Sequence, residues 1–274
     1  MYFPHGYRKS RAVELGQLVV KAYDQYECYK SDTAWNLGEG YTLVREILLG
    51  NDGRSNDALP DFIEGLLGHR KERKAPIGFV ARKRDAVYVV FRGTQTPSEW
   101  ISNMNAVLKP YEYGGAGNVH GGFAELYGSI RETVMEAIDS QGKRRKIYIA
   151  GHSLGAAIAT LGVRDIGKDG RNAIKGVYLY GSPRVGDAEY AKEYDRGYQG
   201  VTYRIVNSSD LVTSVPPPVP VLGSLGGYFS HVETPVDFNW QENDILSNHR
   251  MDKYLEAVAN AKEGLLRRIL RGGA

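Results

Sequence analysis

The residues best suited to chemistry lie in the segment KIYIAGHSLGAAIATL, residues 146–161. Its first half is rich in β-branched and aromatic residues, as in a strand, and its second half is rich in alanine, as in a helix. The pentapeptide GHSLG, residues 151–155, lies at the turn between them and fits the pattern G-x-S-x-G. A serine on such a turn is typical of nucleophilic catalysis, because its hydroxyl projects from the edge of the sheet. Ser153 is therefore the candidate nucleophile.

A serine hydroxyl becomes an effective nucleophile only when a base removes its proton and a carboxylate orients that base. In chains that carry this turn, the acid and then the histidine follow the serine. Asp210 comes soon after the strand-like run 201–206 and is the candidate acid. Two histidines come later in the chain. We favour His249 as the base because it precedes the last helical segment, and His231 is the alternative.

The charged oxygen of a tetrahedral intermediate requires hydrogen-bond donors that are already in position. The N–H of Leu154, directly after the serine, is one candidate, and the dipole of the following helix assists it. Thr94, which follows the strand-like run 87–91, is the second candidate. This chemistry needs no metal ion and no organic cofactor. The single cysteine, Cys28, also excludes an internal disulfide and a metal site built from cysteines.

The elements that must position these residues alternate between strand and helix patterns. Apolar spacing predicts helices at 8–30, 122–138 and 187–198 and strands at 77–81, 87–91, 174–180 and 201–206. The first two strands should form a hairpin, a second hairpin is predicted at 231–238, and Asn248 is expected to cap the last helix. The alternation predicts an α/β fold whose mostly parallel sheet is covered by helices on both faces. No linker-like stretch divides the 274 residues, so a single domain is expected.

The segment after Thr94 begins with a capping box, Thr96-Pro97-Ser98-Glu99, which predicts a helix start. Its apolar residues form a stripe at helical spacing: Trp100, Ile101, Met104, Val107 and Leu108. One interpretation is a helix packed against the core. The other is a movable lid over about residues 95–110, hinged at the glycine-containing loop 111–118.

The amino-acid composition of the chain limits the kinds of binding partner and the cellular location that are expected. The formal net charge is +3 and the basic residues are scattered along the sequence, which gives no indication of nucleic-acid binding. Apolar residues make up 42% of the chain, but no apolar run has the length of a transmembrane helix. The first residues, MYFPHGYRKSR, lack the apolar core of a signal peptide, so a cytoplasmic location is the default expectation. The sequence gives no indication of oligomeric state.

Several motifs, in order, resemble the class 3, or fungal-type, lipase family of the α/β-hydrolase superfamily over about residues 76–258. They are VVFRGT at 89–94 with Trp100 after it, VHGGF at 119–123, GHSLGAA at 151–157, GSPRVG at 181–186, and Asp210 followed by Pro216. The resemblance implies an α/β-hydrolase fold with a helical lid. It also implies that Ser153, Asp210 and His249 form a triad, that Thr94 and Leu154 supply the oxyanion hole, and that His231 is structural.

The activity implied by the resemblance is that of a serine carboxylester hydrolase that cleaves acylglycerols at a lipid–water interface through an acyl-enzyme. Trp100, Ile101 and Met104 would then be lid residues that contact the substrate. Phospholipase A1 or galactolipase activity on polar lipids is one alternative, and an esterase for small esters is another. A non-catalytic binding module is disfavoured, because all three triad positions have suitable occupants.

Overall fold

A computed structural model of the protein describes residues 3–50, 74–94, 107–218, 228–233, 235–242, 244 and 247–261. Within these ranges, the central sheet has seven strands: β1 (Thr42–Leu49), β2 (Ala75–Lys83), β3 (Ala86–Phe91), β6 (Lys146–His152), β7 (Ala173–Tyr180), β9 (Thr202–Asn207) and β11 (Pro235–Phe238). A second sheet contains the short strands β4 (Leu108–Pro110), β5 (Asn118–His120), β8 (Gly186–Asp187) and β10 (Phe229–Ser230).

The central sheet is antiparallel at one side and parallel over the rest. β1, β2 and β3 pair in antiparallel fashion, and the parallel strands then follow in the order β3-β6-β7-β9-β11. The carboxyl ends of the parallel strands therefore lie along a single edge, which is where open α/β sheets carry their sites. The predicted hairpin between residues 77 and 91 is confirmed as β2 and β3.

Helices cover both faces of the sheet. They are α1 (Lys9–Ser31), α2 (Gly121–Asp139), α3 (Leu154–Gly167), α4 (Ala188–Tyr198) and α5 (Met251–Asn260). α2, α3 and α4 contribute to one apolar core, which includes Phe123, Leu161 and Tyr190. α1 and α5 contribute to a second core on the opposite face, which includes Leu15 and Tyr254. The predicted α/β architecture with two covered faces is thus confirmed. Within the described ranges, none of the helices combines the length and apolar composition needed to cross a bilayer.

Two local predictions near the end of the chain are wrong. Residues 231–238 do not form a hairpin: β10 pairs with β8 in the second sheet, whereas β11 joins the central sheet parallel to β9. Asn248 does not cap the last helix, because α5 has Arg250 at its N-cap and Asn248 lies in a single 3₁₀ turn, Ser247–His249. The Asn248 Oδ1 atom instead accepts a hydrogen bond from the N–H of Glu242, at 2.7 Å.

The prediction of a helical lid over about residues 95–110 is also wrong for its last residues, 107–110. Val107 is exposed and not helical, and Leu108–Pro110 form β4, which pairs with β5. The remainder of the proposed lid, including Trp100, Ile101 and Met104, lies outside the described residues. Val107 and Leu108 are therefore not part of a helix, because the pairing of β4 with β5 determines the conformation of the chain here.

Candidate active site

The turn between β6 and α3 holds Ser153 in a conformation that serine rarely adopts. Its φ is 58° and its ψ is −127°, in a region that costs an L-residue free energy. The flanking glycines allow this turn to pack closely. A Cβ on Gly151 would lie 2.2 Å from the Gly155 carbonyl oxygen, and a Cβ on Gly155 would lie 2.4 Å from the Arg92 carbonyl oxygen. Both glycines of the pentapeptide are therefore required by contacts with backbone atoms.

The candidate acid and base form a buried pair. The His249 Nδ1 atom lies 2.6 Å from the Asp210 Oδ2 atom, and both side chains are almost completely buried. Because a carboxylate oxygen accepts, Nδ1 carries the proton, and the Nε2 atom of a neutral His249 is then free to accept one. Two more donors hold the carboxylate: the N–H of Val212 bonds Oδ1 at 2.9 Å, and the Tyr254 hydroxyl bonds Oδ2 at 2.6 Å.

His249 lies beside the serine turn. Its ring centroid is 4.6 Å from that of His152, the residue before Ser153. A Cβ on Gly181 would approach the His249 Cε1 atom to 3.0 Å and the Asp210 Oδ2 atom to 3.2 Å, so a larger residue there would crowd the pair. The Ser153 Oγ and His249 Nε2 atoms are both buried, and neither has a hydrogen-bond partner in the described part of the chain. The structure thus pairs His249 with Asp210 and packs the His249 ring against the residue before Ser153, without a Ser153–His249 hydrogen bond.

Both predicted oxyanion donors lie beside Ser153. Leu154 is the first residue of α3, so its N–H has no partner within the helix. Thr94 is buried and follows Gly93, where an added Cβ would lie 2.7 Å from the Ser153 Cβ atom. The backbone that follows β3 therefore passes directly against the serine at Gly93, the residue before Thr94.

Tyr23, on α1, connects the parts of this site, although its helical spacing in the sequence is equally typical of a core residue. The Nε2 atom of His152 lies 2.8 Å from the His249 carbonyl oxygen and must donate to it. The His152 Nδ1 atom is then an acceptor, so the Tyr23 hydroxyl, at 2.7 Å, donates to it. The Gly93 N–H in turn donates to the Tyr23 oxygen, at 2.9 Å. Burial lowers the pKa of His152 well below its ordinary value, which keeps this ring neutral.

We expect Tyr23→Phe to lower kcat about tenfold while KM changes little. The phenylalanine ring fills the same space, but the Gly93 N–H and the His152 Nδ1 atom both lose their partner, at a cost of about 1–3 kcal/mol for each buried group. Steady-state kinetics on a soluble ester would measure the effect. Tyr194→Phe, which removes a buried hydroxyl bonded to Thr202, is the matched control. Equal kcat values for the two variants would contradict a positioning role for Tyr23.

Two further histidines, the partly buried His231 and the buried His120, do not pair with Asp210. The Nε2 atom of His231 donates to the Thr213 carbonyl oxygen at 2.8 Å, and burial lowers the His231 pKa to about 3. His120 stacks on Phe123 with ring centroids 4.3 Å apart, and burial lowers its pKa to about 4. His249 is the histidine paired with Asp210, as the sequence favoured, and His231 is not.

Two further aspartates that follow Ser153 in the chain, Asp165 and Asp187, are also buried. Asp165 accepts hydrogen bonds from Arg131 at 2.6 Å and from Tyr127 at 2.8 Å. Asp187 caps α4 by accepting from the N–H of Tyr190 at 2.8 Å. Both carboxylates are thus engaged in interactions that stabilise the fold, and neither pairs with a histidine.

The fold and this geometry define an α/β-hydrolase: a serine on a strand-to-helix turn, with an Asp–His pair at neighbouring strand ends. A family model described as Lipase (class 3) matches residues 88–219. Together with the similarities below, this match places the chain in the class 3 lipase family.

The chain is similar to proteins from plants and fungi. It is 32% identical to the chloroplastic phospholipase A(1) DAD1 of Arabidopsis thaliana over 243 residues, which cover 73% of this chain and 54% of that protein. It is 33% identical to a lipase of Rhizomucor miehei over 140 residues, which cover 48% of this chain and 38% of that protein. The structure of Lip2 lipase from Yarrowia lipolytica has a similar fold, with a TM-score of 0.62 at 20% identity, covering 88% of this chain and 82% of that one. The chain thus spans about half the length of the Arabidopsis protein and 38% of the length of the Rhizomucor lipase.

Proposed function

We propose that the protein is a serine carboxylester hydrolase that cleaves acylglycerol esters. The observation that carries the proposal is the buried hydrogen bond between His249 and Asp210, directly beside a serine held at positive φ. This arrangement suits acyl transfer, because the fixed carboxylate leaves the His249 Nε2 atom as a proton acceptor close to the serine.

In the proposed reaction, Ser153 attacks the ester carbonyl while His249 takes the serine proton. The negative charge that develops on the carbonyl oxygen would be stabilised by the N–H groups of Leu154 and Thr94. His249 then gives the proton to the departing alcohol, which leaves an acyl-serine. Water, activated by the same imidazole, hydrolyses that ester and releases the fatty acid.

Access to Ser153 requires a movement of the chain. The serine has no exposed surface, so a substrate carbonyl cannot reach its Oγ atom in the described conformation. We propose that the part of the chain that covers Ser153 opens at a lipid–water interface. In water, exposing each large apolar side chain would cost about 1.5–3 kcal/mol. At the interface these side chains contact lipid instead, which offsets that cost.

A phospholipase A1 is the second candidate function, favoured by the similarity to the plant enzyme that bears this name. A panel of tri-, di- and monoacylglycerols, phosphatidylcholine and monogalactosyldiacylglycerol, assayed for released fatty acid, tests both candidates. We expect acylglycerols to be hydrolysed with the highest kcat/KM. A preference for a diacyl polar lipid, with release from the sn-1 position, would assign the second function. Absence of hydrolysis across the panel and on short soluble esters would refute both functions and favour a binding module.

A further inference from the structure

The edge of the sheet opposite the candidate active site is strongly basic. It is formed by three turns together with their flanking residues, 82–85, 139–146 and 168–175, at the amino ends of the neighbouring strands β3, β6 and β7. Ten basic and three acidic side chains occur in these 20 residues, a net charge of +7, whereas the whole chain carries only +3. We call these three turns the basic edge. The rest of the chain is net acidic, so the fold concentrates at this edge the positive charge of segments that are far apart in the sequence.

The three turns form one continuous, ordered surface. The Lys146 N–H bonds the Asp85 carbonyl oxygen at 3.4 Å, which joins the first turn to the second. The Arg144 N–H bonds the Arg171 carbonyl oxygen at 3.0 Å, and the Arg145 N–H bonds the Asn172 side chain at 2.9 Å, which join the second to the third. Because these backbone contacts fix the three turns relative to one another, only the exposed side chains have to be ordered when a partner binds.

Much of this charge is not neutralised within the protein. Four basic residues form ion pairs: Lys83 with Glu14, Lys146 with Asp85, Lys168 with Asp165, and Arg171 with Asp169. Among the described residues, no acidic partner lies near five others: Arg82, Arg84, Lys143, Arg144 and Lys175. All five are exposed. The unpaired charges are therefore available to an external anion. In the 270 Å³ cavity beside α1, Arg11, Lys83 and Lys146 are paired with acidic residues, whereas Arg84, which also lines it, is not.

The backbone conformation of two of these arginines independently indicates that the basic edge has a function. Arg84 and Arg144 have φ values of 57° and 64°, in the left-handed region where glycine and asparagine are favoured at turns. Each arginine thus occupies a position where glycine would relieve backbone strain. Strained positions of this kind cluster at functional sites, where the side chain has a role that offsets its cost.

We propose that the basic edge is the docking surface for a short acidic segment of a protein partner. The choice of partner rests on the proposed function, because a lipid surface engaged by the active site lies at the other end of strands about 20 Å long and cannot also contact this edge. The first and third turns are separated by two strand spacings, about 10 Å, which an extended segment of about four to six residues spans. Aspartate or glutamate side chains at alternate positions would face the unpaired arginines and lysines.

Binding of a fluorescein-labelled oligoglutamate peptide, followed by fluorescence anisotropy at low salt, tests the proposal. We expect Arg84→Gly/Arg144→Gly to weaken binding at least about tenfold, since two of the five unpaired charges are lost. We also expect its melting temperature to be equal to or above that of the wild type, because glycine suits both turns. Ester hydrolysis should be unchanged, so this test is separate from that of the proposed function.

Lys30→Gln/Lys192→Gln, at exposed positions on α1 and α4, is the matched control because it also removes two positive charges, and its peptide affinity should stay within about twofold of the wild type. Unchanged binding by the double glycine variant would overturn the proposal. Tighter binding of a DNA duplex, or of phosphatidylserine vesicles, than of the peptide at the same salt concentration would also overturn it and would assign the basic edge to that class of partner instead.

Discussion

Ser153→Ala is expected to lose about a million-fold in kcat on the best ester of the lipid panel, while the protein remains folded. Alanine cannot form the acyl-enzyme, and the remaining donors can stabilise only direct attack by water. The substitution tests chemistry rather than folding, because the strain at φ 58° falls equally on alanine and serine and because the Ser153 Oγ atom has no hydrogen-bond partner to lose. Fatty-acid release measured at high enzyme concentration would quantify the residual rate.

The matched control is Ser140→Ala, at the exposed end of α2 and at the edge of the sheet opposite the site. It should retain the wild-type rate. Circular dichroism and the melting temperature would show whether both variants are folded. A Ser153→Ala variant that keeps more than about a hundredth of the wild-type kcat would show that another group attacks the ester, and the proposed mechanism would be wrong.

The parts of this site that depend on a local sequence pattern could be predicted from the sequence. Gly151 and Gly155 flank Ser153 because backbone atoms approach both positions, and that requirement is visible in five consecutive residues. Asp210 could be selected because it follows a strand that has a clear apolar pattern. His249 could be ranked above His231 from the order of elements alone. In each case a short segment contains the physical reason for the position of the residue.

Contacts between distant parts of the chain could not be predicted from local sequence patterns. Tyr23 and Tyr254 both occur at helical spacing, which is equally typical of core residues, yet their hydroxyls bond His152 and Asp210. Nothing within α1 or α5 marks these hydroxyls as different from those of other buried tyrosines. The partners of β10 and β11 could not be predicted for a related reason. Strands of two and four residues are too short to show a clear apolar pattern, and contacts with the rest of each sheet determine which strand they pair with.

Asp210→Asn is expected to lower kcat about ten-thousandfold near pH 7. Both carboxylate oxygens now accept hydrogen bonds, Oδ1 from the Val212 N–H and Oδ2 from His249 and Tyr254. An asparagine can accept with only one of its two terminal atoms. If its NH₂ group faced Val212, two donors would be opposed, so the NH₂ group is expected to turn towards His249. The His249 Nδ1 atom must then accept, which places the imidazole proton on Nε2, and that atom can no longer take the proton of Ser153.

This variant separates a role in orientation and charge from a role in packing, because asparagine has almost the same volume as aspartate. Asp237→Asn, at an exposed position on β11, is the matched control and should leave kcat unchanged. Tyr254→Phe keeps the carboxylate but removes one donor from Oδ2, so its loss should be far smaller, about tenfold. If Asp210→Asn retained more than about a tenth of the wild-type kcat with an unchanged melting temperature, Asp210 would not be the residue that orients His249. The search for the acid would then move to the other carboxylates near the carboxyl edge of the sheet.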